Sequence, residues 1–219
     1  SVTLNYAKEH IKESKSILDS SLDIGLSSTS RLHELFVNLI GVTPKEWKEK
    51  GKDVQITYGF GETPFGEALI GFTDKGICYL GFIDDNKTEI FNRFNELWEN
   101  ANLVHNEIAA NEYLENIFVK NKKYNLFVKG TNLQVNVWKA LLNLPNGIVA
   151  TYQDIANYLD KPKAVRAIAS AIGRNHVGYL IPCHRVITKS GAMSGYRWGI
   201  ERKKILIAYE SVKENNQNQ

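Results

Sequence analysis

The sequence has little of what would mark a secreted, membrane-bound or metal-dependent protein. Only two cysteines, Cys78 and Cys183, occur in 219 residues, far apart and without the spacing of metal ligands. No apolar run approaches the length of a membrane span, and no secretory signal opens the chain. A reducing cytoplasm is the natural compartment for two thiols. The chain begins at Ser1 without an initiator methionine, so we expect a piece of a longer protein.

Each half of the chain is short of charges of one sign. Residues 1–119 carry 11 basic and 19 acidic side chains, a net charge of −8, whereas residues 120–210 carry 15 and 4, a net charge of +11. The overall charge of +3 hides this asymmetry. A basic half that contains Cys183 indicates a polyanionic partner, and nucleic acid is favoured because neutralised phosphates supply much of the affinity. A solvated basic surface is the alternative.

The length predicts two or more domains. We expect the fold class to be α+β. The predicted segments are N-terminal helices (1–50), a mixed segment (54–125), a basic and mostly helical segment (126–210) and a disordered tail rich in Asn and Gln (211–219). In the first segment, Ser28 can cap a helix whose apolar stripe from Leu32 to Leu39 is ended by Gly41. Its outline is a helix-turn-helix, but its seven basic and seven acidic groups favour an ordinary helical hairpin.

The mixed segment contains no cluster of residues typical of a catalytic site, and we interpret it as a scaffold. The turn at Thr73–Gly76 predicts a hairpin, and the apolar run around Cys78 favours a core position for that residue. The predicted strands are Gln55–Phe60, Gly66–Thr73, Gly76–Ile83 and Tyr124–Val128, and the predicted helices are Lys87–Glu99 and Asn106–Val119.

The basic segment predicts a second helix-turn-helix. Thr151 can cap a helix that ends near Leu159, and an alanine-rich helix follows from Lys163 to Arg174. Alanines let a helix approach a surface closely, and the long cationic side chain of Arg166 stands out among them as a candidate DNA contact. Tight packing inside the protein, with Arg166 in solvent, is the alternative. The other helices are predicted at Leu133–Leu142 and Lys203–Glu210.

The candidate nucleophile is Cys183, which lies between Pro182 and the pair His184-Arg185. A thiolate is the reactive form of cysteine, imidazole and cationic neighbours favour it, and the proline shapes the turn. Residues 191–199 contain three glycines interleaved with aromatic and cationic side chains, which suits a bent loop around a pocket for a flat group such as a base. An inert buried cysteine is the alternative.

The stretches Pro-Cys-His-Arg-Val and Ser-Gly-Tyr-Arg-Trp-Gly resemble the O6-alkylguanine-DNA alkyltransferases, which move an alkyl group from damaged guanine onto their own cysteine. The resemblance covers about residues 126–210 and is weaker toward the N terminus. Further residues at the family's spacing are Gly130-Thr131, Gln134, Val137-Trp138, Thr151-Tyr152, Val165-Arg166-Ala167, Asn175 and Glu210. Leu133 stands where the family commonly has an aromatic residue, a conservative departure.

The resemblance implies a function and partners. The chain would repair double-stranded DNA that contains O6-alkylguanine, and also O4-alkylthymine, by one stoichiometric transfer to Cys183 after the damaged base is flipped out. It would act as a monomer, without a cofactor, a metal ion or a membrane.

The resemblance also implies roles for residues. In the catalytic set, Cys183 accepts the alkyl group, His184 takes the thiol proton through a water, Glu210 orients His184, Tyr152 helps guanine leave, and Asn175 supports the turn. In the DNA-binding set, Arg166 fills the place of the extruded base, accompanied by Thr151, Tyr152, Ala164 and Ala167. The pocket set is Met193, Tyr196, Arg197, Trp198 and Val186.

For the rest of the chain, the resemblance implies a ribonuclease-H-like domain at 54–125 ahead of the catalytic DNA-binding domain. Residues 25–44 resemble the second helix-turn-helix of arabinose-regulator-type transcription factors, as in bacterial fusions related to the adaptive-response proteins. Two rival functions stay open. One is a DNA-binding module or regulator in which Cys183 is structural, and the other is a Cys-His hydrolase, for which the sequence shows no oxyanion site or cleft.

The charge segregation predicts a strong salt dependence of binding to duplex DNA. If the basic half neutralises several phosphates, raising the salt from about 50 to 200 mM should lower the affinity by roughly a hundredfold or more. Fluorescence anisotropy of a labelled duplex across this range measures the slope of log K against log salt. A flat plot would contradict the basic half as a DNA-binding surface.

Overall fold

The computed structural model describes residues 39–41, 51–193 and 195–217. The predicted N-terminal helices lie outside these residues, apart from one end. There the prediction is wrong, because Leu39–Gly41 forms a strand, β1, rather than the end of a helix. This strand pairs in parallel with Leu126–Val128. Three apolar residues cannot distinguish a strand from a helix end, and a neighbouring strand with unpaired backbone groups decides between them.

The described residues divide into two compact units. The sheet unit comprises 39–41, 51–135 and 174–181, and the helical unit comprises 136–173 and 182–217. This division differs from the sequence-based boundary at residue 126. Within the sheet unit, the amide of Leu80 donates to the carbonyl of His176, so 174–181 returns to the sheet after a long excursion. A boundary placed along the chain cannot anticipate such a return.

The sheet unit is built on six strands in the order β1-β6-β4-β3-β2-β5. Strands β2, β3 and β4 form an antiparallel meander, β5 runs parallel to β2, and β6 runs parallel to both β4 and β1. The elements are β1 (Leu39–Gly41), β2 (Gln55–Gly61), β3 (Ala68–Thr73), β4 (Gly76–Phe82), α1 (Lys87–Leu97), β5 (Asn102–His105), α2 (Glu107–Phe118) and β6 (Leu126–Val128). The predicted strands and helices of this segment are confirmed to within a few residues.

Local chemistry explains the turns and helix starts of the sheet unit. At the predicted hairpin, Thr73 Oγ1 accepts a hydrogen bond from the amide of Lys75, and Gly76 adopts the positive φ of 145° that closes the turn. Asn86 and Asn106 cap α1 and α2 with their side chains. Strand β5 was not predicted, because it is a short edge strand whose side chains are mostly exposed and do not alternate in polarity.

Two glycines of β2 allow α2 to pack directly against the sheet. A Cβ on Gly59 would lie 2.7 Å from the Cβ of Ala110, and a Cβ on Gly61 would lie 2.8 Å from a methyl carbon of Leu114. At Gly59 the neighbouring atoms are a Cβ and backbone atoms that cannot move aside, so glycine is required there, whereas at Gly61 they are the ends of flexible side chains that would have to shift. Cys78 is fully buried in β4, as predicted.

The helical unit contains four helices, one single-turn 3₁₀ helix and a two-stranded sheet among its described residues. They are α3 (Asn132–Leu142), which begins in the sheet unit, β7 (Ala150–Thr151), α4 (Tyr152–Tyr158), α5 (Val165–Gly173), the 3₁₀ helix (Cys183–Arg185), β8 (Val186–Ile187) and α6 (Ile200–Gln217). Thr151 and Asp154 form a capping box at the start of α4, as the sequence predicts for Thr151. Strands β7 and β8 pair in parallel.

Helix α6 is longer at both ends than predicted. Its backbone stays helical to Gln217, so the expectation of a disordered tail beginning at residue 211 is wrong. Once a packed helix exists, each further residue costs little, and Glu, Lys and Gln are good helix formers. The α+β class is confirmed. No helix in the described part of the chain is long and apolar enough to cross a membrane.

The close approach of β2 and α2 gives a stability prediction. Gly59→Ala should lower the free energy of unfolding by about 1–3 kcal/mol, because the new methyl group overlaps Ala110 and the carbonyl of Asn106. Urea unfolding measures the change. The control is Gly173→Ala, where a Cβ meets nothing within 4 Å and the expected change is within about 0.5 kcal/mol. Equal effects of the two substitutions would contradict the packing.

Candidate active site

The candidate nucleophile lies in the tight turn that the sequence indicates. Pro182 precedes the 3₁₀ helix, and its carbonyl accepts the amide of Arg185 at 3.1 Å. The thiol of Cys183 is not in a disulfide, and the residue is only 5% exposed. A proline ahead of a single-turn helix restricts the backbone, so the thiol is held in one place.

A buried carboxylate on α6 binds both residues that follow the cysteine. Glu210 lies 2.9 Å, through Oε1, from Nε2 of His184, and it accepts hydrogen bonds from Nε of Arg185 at 2.8 Å and from an Nη of Arg185 at 2.9 Å. The same guanidinium donates to the carbonyls of Leu144 and Pro145. His184 is 0% exposed and Glu210 is 6% exposed. The structure therefore brings together the predicted trio of Cys183, His184 and Glu210 and adds Arg185 to it.

Burial and hydrogen bonding fix the protonation states of this pair. Burial lowers the pKa of His184 below its ordinary value of 6.5, so the imidazole is neutral at neutral pH. Burial alone would raise the pKa of Glu210, but hydrogen bonds from His184 and Arg185, together with the positive charge of Arg185, outweigh it and hold that pKa at about 2. A carboxylate can only accept, so Nε2 of His184 carries the hydrogen and Nδ1 has the basic lone pair.

Lys203 is a residue of the site that the sequence reasoning missed. Its side chain is 0% exposed, and Nζ donates to the carbonyl of Val186 at 2.6 Å. Burial lowers the pKa of Lys203 to about 8, while negative charge on Cys183 acts in the opposite direction. The cation and the thiolate therefore stabilise each other. A signal was present, because Lys203, Leu206 and Glu210 recur at the spacing of one helix face.

Two tyrosines lie within electrostatic reach of the thiol. Burial raises the pKa of Tyr152, and negative charge on Cys183 raises it further. The same two causes raise the pKa of Tyr196 well above its ordinary value. Both phenols therefore stay protonated at neutral pH and can act as hydrogen-bond donors beside the thiol.

The loop at 191–199, here called the pocket loop, contains four of the five predicted pocket residues. Tyr196 and Trp198 are buried, with ring centroids 5.4 Å apart, and Met193 is partly buried. Arg197 is exposed, and its guanidinium donates to the carbonyl of Gly173. The fifth, Val186, is buried in β8. Their roles as pocket residues stay predictions.

The pair α4 and α5 has the helix-turn-helix outline that the sequence predicts. The inner face of α5 is buried at Ile168, Ala171 and Ile172, and Nε1 of Trp138 donates to the carbonyl of Ala171 at 3.0 Å. On its outer side, Arg166 and Ala167 are exposed. Of the other predicted DNA-binding residues, Ala164 and Tyr152 are partly buried, and Thr151 is buried as the cap of α4.

Asn175 lies in the sheet unit, where it stabilises a turn close to the nucleophile in the chain. Its side-chain amide donates to the carbonyls of Val177 at 3.3 Å and Ile181 at 3.0 Å, and its oxygen accepts the amide of Val177. Ile181 stands two residues before Cys183. No group of three or more His, Cys, Asp or Glu side chains that could hold a metal ion occurs in the described residues.

Comparison with known proteins connects this geometry to one family. Residues 132–212 match the family model of the 6-O-methylguanine DNA methyltransferase DNA-binding domain. Over 147 residues, the chain is 37% identical to the inducible methylated-DNA–protein-cysteine methyltransferase of Bacillus subtilis, covering 64% of this chain and 82% of that protein. A crystal structure of Mycobacterium tuberculosis OGT in complex with DNA is similar with a TM-score of 0.58 and 28% identity, covering 72% of this chain and 94% of that one.

A longer relative is the bifunctional transcriptional activator/DNA repair enzyme Ada of Escherichia coli. It is 30% identical over 213 residues, which is 94% of this chain and 60% of that protein. The chain therefore spans about three fifths of the length of that curated relative.

The buried carboxylate gives a prediction about acid stability. A group whose pKa falls from 4.5 to about 2 on folding adds stability above pH 4.5 and loses it as the pH falls toward 2. We expect Glu210 to contribute about 3 kcal/mol to the free energy of unfolding at pH 6, and this contribution to disappear by pH 2. Glu210→Gln should remove this pH dependence, measured by urea unfolding between pH 6 and 2.

The control on the same helix is Glu201→Gln. Glu201 pairs with Lys204 at 2.6 Å, but its side chain is 82% exposed, so its loss should change stability by less than about 1 kcal/mol. Curves for wild type and Glu210→Gln that run parallel from pH 6 to 2 would contradict the assigned pKa of Glu210.

Proposed function

The chain belongs to the family of O6-methylguanine-DNA methyltransferases, and we propose that it repairs DNA by transferring the alkyl group of O6-alkylguanine to Sγ of its own Cys183. The observation that carries this proposal is the buried pair of His184 and Glu210 beside a cysteine held in a proline-led turn. Such a pair gives the thiol a neutral base whose orientation is fixed.

The chemistry balances with the residues present. The thiol proton passes toward Nδ1 of His184, and the thiolate attacks the alkyl carbon. A carbon–sulfur bond forms, the bond to guanine O6 breaks, and its electron pair stays on the purine. Tyr152, protonated at neutral pH, can give its proton to the purine, which then leaves as neutral guanine, and the proton held by His184 returns to the phenolate through solvent. The thioether has no easy leaving chemistry, so the reaction happens once for each protein molecule.

The DNA must present the damaged base outside its stack. Helix α5 can approach a groove through the small residue Ala167 and through Ala164, which directly precedes it, while Arg166 is exposed and long enough to occupy the place of the extruded base. Extrusion costs a few kcal/mol, which phosphate contacts of the basic half offset. Thr151 and Tyr152 lie at the start of α4, which is the first helix of the helix-turn-helix.

The sequence resemblance implies four finer parts of the proposal: a ribonuclease-H-like topology for the scaffold segment, regulator-type helices in residues 1–50, action as a monomer and acceptance of O4-alkylthymine. A cytoplasmic location is proposed from the two cysteines of the sequence. The relation to Ada over 94% of this chain supports the regulator-type helices, because that protein is described as a transcriptional activator as well as a repair enzyme.

Cysteine substitution separates this proposal from its rivals. After incubation with a duplex that contains O6-methylguanine, intact mass spectrometry should show one added methyl group on wild type and none on Cys183→Ser, because a hydroxyl is a far weaker nucleophile at neutral pH. A structural cysteine in a DNA-binding module and a Cys-His hydrolase both predict no stable methyl adduct on wild type.

The control is Cys78→Ser in the core of the sheet unit. Burial raises the pKa of the Cys78 thiol far above its ordinary value, so it is inert, and that variant should still gain one methyl group. Methylation of Cys183→Ser, or its loss in Cys78→Ser, would place the acceptor at Cys78 and overturn the assignment.

A further inference from the structure

The guanidinium of Arg197 joins the pocket loop to the last residue of α5. Nε and one Nη of Arg197 both donate to the carbonyl oxygen of Gly173, at 3.1 and 3.0 Å. Gly173 is the C-terminal residue of α5, the helix assigned above to DNA. The sequence predicts a pocket-lining role for Arg197, whereas the observed contact is with backbone 24 residues away in the chain.

The chemistry of a helix end favours this contact. The last four carbonyls of a helix have no partner within it, and the partial negative charge of the C terminus attracts cations. A guanidinium that offers two donors to one carbonyl oxygen forms a charge-assisted contact. The carbonyl of Ala171, in the same turn, already accepts a hydrogen bond from Trp138. Arg197 therefore supplies a second side-chain donor to this end of α5.

The pocket loop contains three glycines, which give its backbone more conformational freedom than other residues would, while the buried rings of Tyr196 and Trp198 hold its centre. Gly191, Gly195 and Gly199 all have positive φ values, at 80°, 65° and 89°. At one end of the loop, the amide and carbonyl of Ala192 bond to Thr188, and at the other end Arg202 donates to the carbonyl of Trp198. These contacts hold the loop to its own neighbours in sequence, and Arg197 connects it to α5.

We propose that Arg197 is a positioning residue that fastens the pocket loop to the C-terminal end of α5, so that the placement of the loop over the base depends on the DNA-reading helix. This inference rests on the proposed function for the roles of the loop and of α5. Loss of the contact should loosen the loop even in the absence of DNA. The turn that holds Cys183, His184 and Arg185 has its own anchor at Glu210 and should be unaffected.

The test compares Arg197→Ala with Arg197→Lys and with Arg174→Ala in the whole chain. Arg174 follows Gly173 directly and is also exposed, so its removal matches the loss of charge without removing the contact to Gly173. Lysine keeps the charge but lacks the planar fork of arginine, so it should rescue the loop only in part. Melting temperatures within a few degrees of wild type would establish that the variants fold.

The first measurement is amide hydrogen exchange of residues 188–199 without DNA. Arg197→Ala should raise the exchange rate of this segment roughly tenfold, and Arg174→Ala should leave it unchanged. This readout does not depend on alkyl transfer. If wild type transfers no alkyl group, the proposed function fails, while the exchange experiment still decides whether the contact orders the loop.

The second measurement is single-turnover reaction with free O6-benzylguanine at varied concentration. Arg197→Ala should raise the half-saturating concentration roughly three- to tenfold and leave the limiting rate within about twofold, because a loosened loop weakens the pocket without altering the nucleophile. Arg174→Ala should match wild type in both values.

Two results would overturn the proposal. One is unchanged exchange and unchanged free-base kinetics in Arg197→Ala, combined with a loss of about one unit from the salt slope of DNA binding, which would make Arg197 a phosphate contact. The other is an equal loosening of the loop by Arg174→Ala, which would make the effect one of net charge rather than of the contact with Gly173.

Discussion

The position of the turn that holds Cys183, the proposed nucleophile, depends on one buried carboxylate, Glu210. An ionised carboxylate with 6% exposure would be costly to bury by itself, by several kcal/mol. Here the imidazole of His184 and the guanidinium of Arg185 form hydrogen bonds with both carboxylate oxygens of Glu210. Because these two residues directly follow Cys183, the helix that holds Glu210 also fixes the turn that holds the thiol. Arg185 extends the same network to the carbonyls of Leu144 and Pro145.

Burial around this carboxylate also prepares the groups that handle protons. It keeps His184 neutral, lowers the pKa of Lys203 to about 8 and keeps Tyr152 protonated. A neutral imidazole can take a proton from the thiol, and a protonated phenol can assist a departing purine. Lys203 lies close enough for its charge and that of a thiolate to favour each other. The proposed transfer calls for one proton acceptor and one hydrogen-bond donor, and His184 and Tyr152 are in the protonation states that these roles need.

The sequence correctly predicts features that depend on a local pattern or on a recognised spacing of residues. The hairpin at Thr73–Gly76 and the cap at Thr151 depend on residues next to them, and the pairing of His184 with Glu210 comes from the family's spacing. The failures are contacts whose partners are distant in the chain. The parallel pairing of β1 with β6 is one, and the return of residues 174–181 to the sheet is another. Lys203 was missed because a lysine on a charged helix is usually solvated, although it shares one helix face with the buried Leu206.

The same long-range packing explains how a helix of nine residues can both belong to the core and leave one side exposed. Ile168, Ala171 and Ile172 bury the inner face of α5, which fixes its rotation and therefore the direction of Arg166. Two carbonyls of its last turn are bonded by side chains from elsewhere in the helical unit, Ala171 by Trp138 and Gly173 by Arg197. The helix is thus held at its C-terminal end, and its N-terminal half, with Arg166 and Ala167, is left exposed. A helix held in this way can enter a groove without giving up any of the contacts that orient it.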